Sequence, residues 1–232
     1  MSKLAVITGV GPGTGSALAQ RFHAGGYRVA MLARNGERLR SLEQSLPGAI
    51  GVTCNVADSA ELAQALAGIE AREGPPQVVI HNAVGGAFGT FQEIDPDVLQ
   101  RNFQVNVMAL LHLARWAAPS MERAGSGAIL ATGNTSALRG KAKFAGFAPT
   151  KAAQRILAES MARDLGPKGV HVAYLMIDAV IDVPWTRERY QQAPDSFFIR
   201  PQDIADEAWH VAHQPRSAWS FLIELRPFTE SW

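Results

Sequence analysis

With 232 residues, 47% hydrophobic and 19% charged, the chain can bury a sizeable core and is expected to form one domain over 1–232. Its net charge of +1 comes from 22 basic and 21 acidic residues that are interleaved, which leaves no electrostatic footprint for nucleic acid. Cys54 is the single cysteine and excludes an intramolecular disulfide. With no apolar run long enough for a bilayer and no secretory signature ahead of the first strand, a cytoplasmic location is expected.

Leu4-Ala5-Val6-Ile7 predicts a strand that runs through Thr8-Gly9 into a glycine-rich turn, then a helix from about Gly13 to His23. Further strands are predicted at Arg28 to Leu32, Ala49 to Cys54 and Val78 to Ile80. Helices lie between them at Glu37 to Leu46 and after Ser59, the expected N-cap. Pro96 to Ala124 reads as one long helix, Ala128 to Ala131 as a fifth strand and Gly146 to Leu165 as another helix. His171 to Ile177, a helix at Asp203 to Ala212 and a seventh strand at Ser220 to Leu225 complete the pattern. Apolar strands alternating with amphipathic helices predict an α/β fold, a doubly wound parallel seven-stranded sheet in a three-layer αβα arrangement. Asp178 to Pro201, rich in charge, proline and aromatics, reads as an irregular lid over a substrate.

Gly9, Gly11, Gly13, Thr14 and Gly15 fall between the first strand and the first helix. Glycine there permits a tight turn and close backbone approach to a pyrophosphate at a helix N-terminus, the fingerprint of a Rossmann dinucleotide site. No group of His, Cys, Asp and Glu has metal-ligand spacing, and no serine sits in a nucleophile elbow.

The TGxxxGxG spacing of Gly9, Gly13 and Gly15, with His81-Asn82-Ala83-Val84 after the fourth strand, Asn106 and Lys151, resembles the short-chain dehydrogenase/reductase family nearly end to end. The resemblance implies a nicotinamide dinucleotide held by the glycine turn, Asn82, Ala83 and Lys151, with Ile181 near it and Asn55-Val56 beside the adenine. Ala33-Arg34-Asn35 carries no carboxylate where an acidic residue would favour NADH, and Arg34 can fork onto a 2′-phosphate, so NADP(H) is favoured and NAD(H) remains open. A small-molecule substrate and a homodimer or homotetramer are also implied. The long helix supports the latter, since Leu99, Phe103, Val107, Leu110, Leu111 and Leu113 exceed what one sheet face needs.

The family's catalytic pattern is departed from twice. Phe147 stands four residues before Lys151, where the family has its proton-donating tyrosine, and Asn134 stands where it has a serine. Asn106 matches the asparagine that supports a proton-relay water. A phenyl ring has no proton to give, so either another donor serves or the substrate needs none. Lys151 is the leading donor, because a neighbouring nicotinamide cation would depress its pKa; Tyr190 in the lid is a second. A catalytically silent dinucleotide-binding sensor or partner subunit is the rival reading.

Overall fold

Val170–Ile177 is buried along its whole length, as a strand covered on both faces must be. The computed structural model, which describes residues 3–230, contains β1 (Leu4–Thr8), β2 (Arg28–Ala33), β3 (Ile50–Thr53), β4 (Val78–His81), β5 (Gly127–Gly133) and β6 (Val170–Ile177). These are followed by β7 (Val180–Ile181), β8 (Phe198–Ile199) and β9 (Leu222–Leu225). Seven strands form one parallel sheet in the order β3-β2-β1-β4-β5-β6-β9; β7 and β8 pair only with each other.

Helices α1 (Thr14–Ala24) and α2 (Gly36–Ser45) pack on one sheet face, and α3 (Ser59–Glu73) on the other. After α4 (Pro96–Phe103), α5 (Ala109–Ala124) and α6 (Ala148–Leu165) join α3. After α7 (Pro184–Arg189), α8 (Pro201–Ala212) joins α1 and α2. Leu18, Phe22, Leu39 and Ala208 fill one core, and Leu62, Leu66, Leu110, Leu113 and Ala158 the other. Strand order reverses between β1 and β4, which opens a crevice at their C-terminal ends. Among the described residues no helix is long and apolar enough to cross a membrane.

Four expectations need correction. Asp58 rather than Ser59 caps α3: its carboxylate accepts from the Ala60 and Glu61 amides at 2.9 and 3.0 Å. The expected single helix over 96–124 is interrupted by a π turn at Gln104–Met108. That wider turn disturbs the regular ladder, and the Val105 carbonyl accepts from His81 Nε2 at 2.9 Å. The helix carrying Lys151 begins at Ala148, with Phe147 just outside it, because Phe147 departs from helical geometry (φ −123°). Residues 178–201 are not irregular. The β7–β8 ladder and α7 are tied by Arg187, which forks onto Asp182 at 2.6 and 2.7 Å and reaches Asp195 at 2.6 Å.

Candidate functional site

The crevice encloses about 1320 Å³. Gly9, Gly11, Gly13, Thr14, Gly15, Arg34, Asn55, Val56, Asn82, Ala83 and Ile181 all line it, as expected for a shared ligand; Lys151 does not. Gly9 has φ +72°, and a Cβ there would stand 2.4 Å from the Ala83 backbone, so only glycine lets β1 turn this close to the end of β4. A Cβ on Gly15 would stand 2.3 Å from the Gly9 carbonyl. One on Gly13 would meet Val183 at 2.8 Å, which shows how tightly the 178–201 segment leans on the turn. No side chain caps α1, and the buried Thr14 hydroxyl has no partner. An uncapped helix start, an orphan donor and a glycine-rich turn fit a dinucleotide pyrophosphate.

At the end of β2 the crevice wall carries more positive charge than Arg34 alone. Asn35 caps α2 by accepting from the Arg38 amide at 2.9 Å, which sets Arg38 in the first turn; Arg38 and Arg40 line the same wall, with the Glu37 carboxylate between Arg34 and Arg38 in sequence offsetting one of the three positive charges. No ion pair or side-chain hydrogen bond engages any of the three guanidiniums among the described residues. Sequence reading missed Arg38 and Arg40, although an N-cap asparagine directly after Arg34 signals where the next basic residues would project.

The floor is a polar network at the strand ends. Asn82 Nδ2 donates to the Gly9 carbonyl at 2.9 Å, and Thr132 Oγ1 donates to Asn82 Oδ1 at 3.0 Å. Asn106 Nδ2 donates to the Gly85 carbonyl and to Thr150 Oγ1 at 2.7 and 2.8 Å, while its Oδ1 accepts from the Gly85 amide at 3.0 Å. Both its amide protons are therefore engaged in clamping the loop after β4 to α6. His81 is wholly buried beneath. Its Nε2–H donates to Val105, so its Nδ1 must accept from the Thr8 hydroxyl at 2.9 Å, which fixes a neutral tautomer.

Burial first, then the positive charge of Lys151, pushes the His81 pKa down from 6.5 to about 3, against the opposing Val105 hydrogen bond. The unfolded chain thus binds the extra proton first, and stability contributed by neutral His81 is lost as pH falls from 6.5 toward 3. The loss is on the order of 4 kcal/mol. His81→Asn is expected to flatten this part of the curve of apparent Tm against pH. An unchanged acid slope would show that His81 does not set it.

Lys151 is 2% exposed. Its ammonium donates to the Thr132 carbonyl at 3.2 Å and to Gln154 Oε1 at 2.8 Å, and lies 6.0 Å from the Phe147 ring centroid. Burial lowers its pKa from 10.5 to about 7. Because an ammonium only donates, the amide oxygen of Gln154 must face it, which leaves the buried Gln154 Nε2 unpartnered. A stranded donor costs about 1–3 kcal/mol. Behind Gln154 lies the Tyr174 hydroxyl, 3.5 Å from Oε1, in space that a Cβ on Gly133 would fill. Burial raises the Tyr174 pKa, and Arg155 and the Asn134 amide only partly oppose this.

Phe147 is buried under Gly86, with Phe88 at 5.7 Å between ring centroids, and Phe144 lies 5.1 Å beyond Phe88. Asn134 Oδ1 accepts from the Ser136 amide at 3.1 Å and caps a short 3₁₀ turn, which leaves its Nδ2 as the donor for a ligand. Of the other tyrosines, Tyr27 bonds His213 at 3.0 Å on the far face, and Tyr190 rests against Phe197 at 5.3 Å without lining the crevice. The apolar side chains Val84, Phe88, Leu138 and Trp185 are exposed, and Val84 and Trp185 line the crevice itself.

The model of the short chain dehydrogenase family matches residues 3–193, and the chain belongs to that family. It is 29% identical over 229 residues to a 7alpha-hydroxysteroid dehydrogenase of Escherichia coli, covering 94% of this chain and 89% of that one. A short-chain dehydrogenase from Rhodopseudomonas palustris superposes with TM-score 0.82 at 31% identity, over 97% of this chain and 99% of that one. A metagenomic short-chain oxidoreductase in complex with NADP superposes with TM-score 0.84 at 27% identity, over 98% of each chain. The protein is an NAD(P)-dependent oxidoreductase.

Proposed function

We propose that this enzyme prefers NADPH and acts on a small organic substrate without a phenolic proton donor. The observation that carries the reading is the exchange at residue 147. Phe147 holds the tyrosine's place with a buried hydrocarbon ring, while the nearest acid is the Lys151 ammonium, which burial brings to about 7. A group that titrates near neutrality is suited to general acid work. When bound, the dinucleotide supplies the transferable hydrogen with its electron pair. Asn134 Nδ2 then donates to a substrate carbonyl oxygen, Lys151 gives up a proton where one is required, and the exposed apolar side chains around the crevice pack against the hydrocarbon part of the substrate.

Reduction of a ketone builds an alkoxide that must be protonated or strongly stabilised. Reduction of an iminium ion gives a neutral amine and needs no acid, and an activated alkene gives an enolate that solvent protonates later. Iminium or activated-alkene substrates are therefore expected to be turned over faster than simple ketones when NADPH oxidation is followed across all three classes. Faster turnover of ordinary ketones would overturn the proposed substrate class. A silent binder is the second reading, favoured by the depth of Lys151 and the engagement of Asn134 Oδ1 in its own turn. Activity on none of the classes, with NADPH still bound, would decide for it.

Preference for NADPH rests in this reading on Arg34 and Arg38 together. Losing one charged hydrogen bond costs about 1.5–3 kcal/mol, so Arg34→Ala with Arg38→Ala is expected to weaken NADPH by more than either alone and leave NADH nearly unchanged. Equal losses for both cofactors in calorimetry would remove the arginines from selectivity.

Leu99, Phe103, Val107 and Leu111 remain only partly buried, and Ile156 on α6 is 52% exposed. A homodimer or homotetramer covering these helices is proposed. Light scattering at micromolar concentration should give a multiple of 25.0 kDa, and a monomer mass would refute it.

A further inference from the structure

We propose that Gln154, backed by Tyr174, is a positioning residue that holds the Lys151 ammonium at the strand ends and sets its proton affinity. The proposal rests on the reading of Lys151 as the proton donor. Three observations converge on it. Gln154 lies one helical turn after Lys151, is wholly buried, and accepts from its Nζ at 2.8 Å. Its Nε2 has no partner, so the fold keeps a stranded donor where an apolar side chain of similar shape would have none, and what is gained is the oxygen facing Lys151. Tyr174 closes the chain from β6, and Gly133 on β5 has no side chain where the phenol stands.

The partner's neutrality is the functional point. A carboxylate at this place would hold the ammonium charged far above neutral pH, and a hydrocarbon would leave it with the Thr132 carbonyl alone. An amide oxygen orders the ammonium and lets it release its proton. His81 from β4 interacts with the ammonium electrostatically, Tyr174 from β6 stands behind Gln154, and Arg155 on α6, which is paired with Glu159 at 3.2 Å, acts on Tyr174; no carboxylate pairs with Lys151 among the described residues. In the step that follows, an N–H bond of the Lys151 ammonium breaks, its proton is relayed through water to the reduced substrate atom, and the neutral amine that is left regains a proton from solvent along the same relay.

The chain has five lysines, so ¹³C-lysine labelling gives a resolvable set, with Lys151 assigned by Lys151→Met. The side-chain titration is followed by NMR on the cofactor-free protein, in wild type, Gln154→Glu and Gln154→Met. Both substitutions nearly preserve shape, and circular dichroism checks the fold. The Lys151 midpoint is expected to rise by about 1–3 pH units in Gln154→Glu and to fall in Gln154→Met, with the pH profile of ketone reduction following in the same directions. A midpoint unmoved in Gln154→Met overturns the proposal; should that variant fail to fold, an unmoved or lowered midpoint in Gln154→Glu does so. Because the titration needs no turnover, midpoints that move in an inactive protein would refute the proposed function and leave the positioning role standing.

Discussion

Phe147→Tyr is expected to raise ketone reduction by the usual worth of a placed general acid, about 10²–10⁴-fold, less what Lys151 already supplies, and to leave iminium reduction unchanged. The substitution adds one hydroxyl to a ring that is already ordered by Gly86 and Phe88, so it introduces chemistry without rebuilding the pocket. The Lys151 ammonium lies 6.0 Å from the ring centroid, and positive charge at that range favours the phenolate, which makes the new hydroxyl a better acid than an isolated tyrosine. Tyr174 cannot already serve in that role, because burial raises its pKa and its hydroxyl is held among Gly133, Gln154 and the Asn134 amide. Steady-state NADPH oxidation with matched ketone and iminium substrates measures the effect. An equal gain on both would mean that residue 147 limits access or packing rather than protonation.

Gly9→Ala is expected to abolish dinucleotide binding and to destabilise the fold by several kcal/mol. A φ of +72° is strained for any side chain by roughly 1–3 kcal/mol, and the added methyl would stand 2.4 Å from Ala83 backbone atoms that the sheet holds in place. Relief requires lifting the turn from the end of β4, which breaks the Asn82 hydrogen bond to the Gly9 carbonyl and unseats the start of α1. Gly11→Ala is the control, since its nearest neighbour would be the Gly9 carbonyl at 4.0 Å. Its denaturation midpoint should stay near wild type, and similar losses in both variants would discount the close-approach argument.

The sheet was legible in the sequence because parallel strands announce themselves as continuous apolar runs, and Leu4–Thr8, Val78–His81 and Val170–Ile177 lie within a residue or two of where those runs fall. The glycine cradle was legible because Gly9, Gly13 and Gly15 each answer a local steric demand. The π turn was not, since the apolar spacing on either side of Gln104–Met108 continues undisturbed and the wider turn matters only through a partner, His81, two dozen residues earlier. The order within 178–201 was hidden for a similar reason. Two-residue strands carry no periodic signal, and the Arg187 fork joins residues that sequence alone does not pair. Lys151 was recognised without its acceptor: Gln154 stood in view three residues on, but an unpaired buried ammonium has to be seen before its need for an oxygen can be inferred.

The pH dependence of single-turnover ketone reduction, wild type against Lys151→Met, tests most directly whether Lys151 provides the proton that residue 147 lacks. The wild-type rate should fall as pH rises through about 7, as the buried ammonium is lost. Lys151→Met should be slower by about 10²-fold or more and should lose that titration. A Lys151→Met enzyme that keeps both the wild-type rate and the wild-type profile would contradict the account.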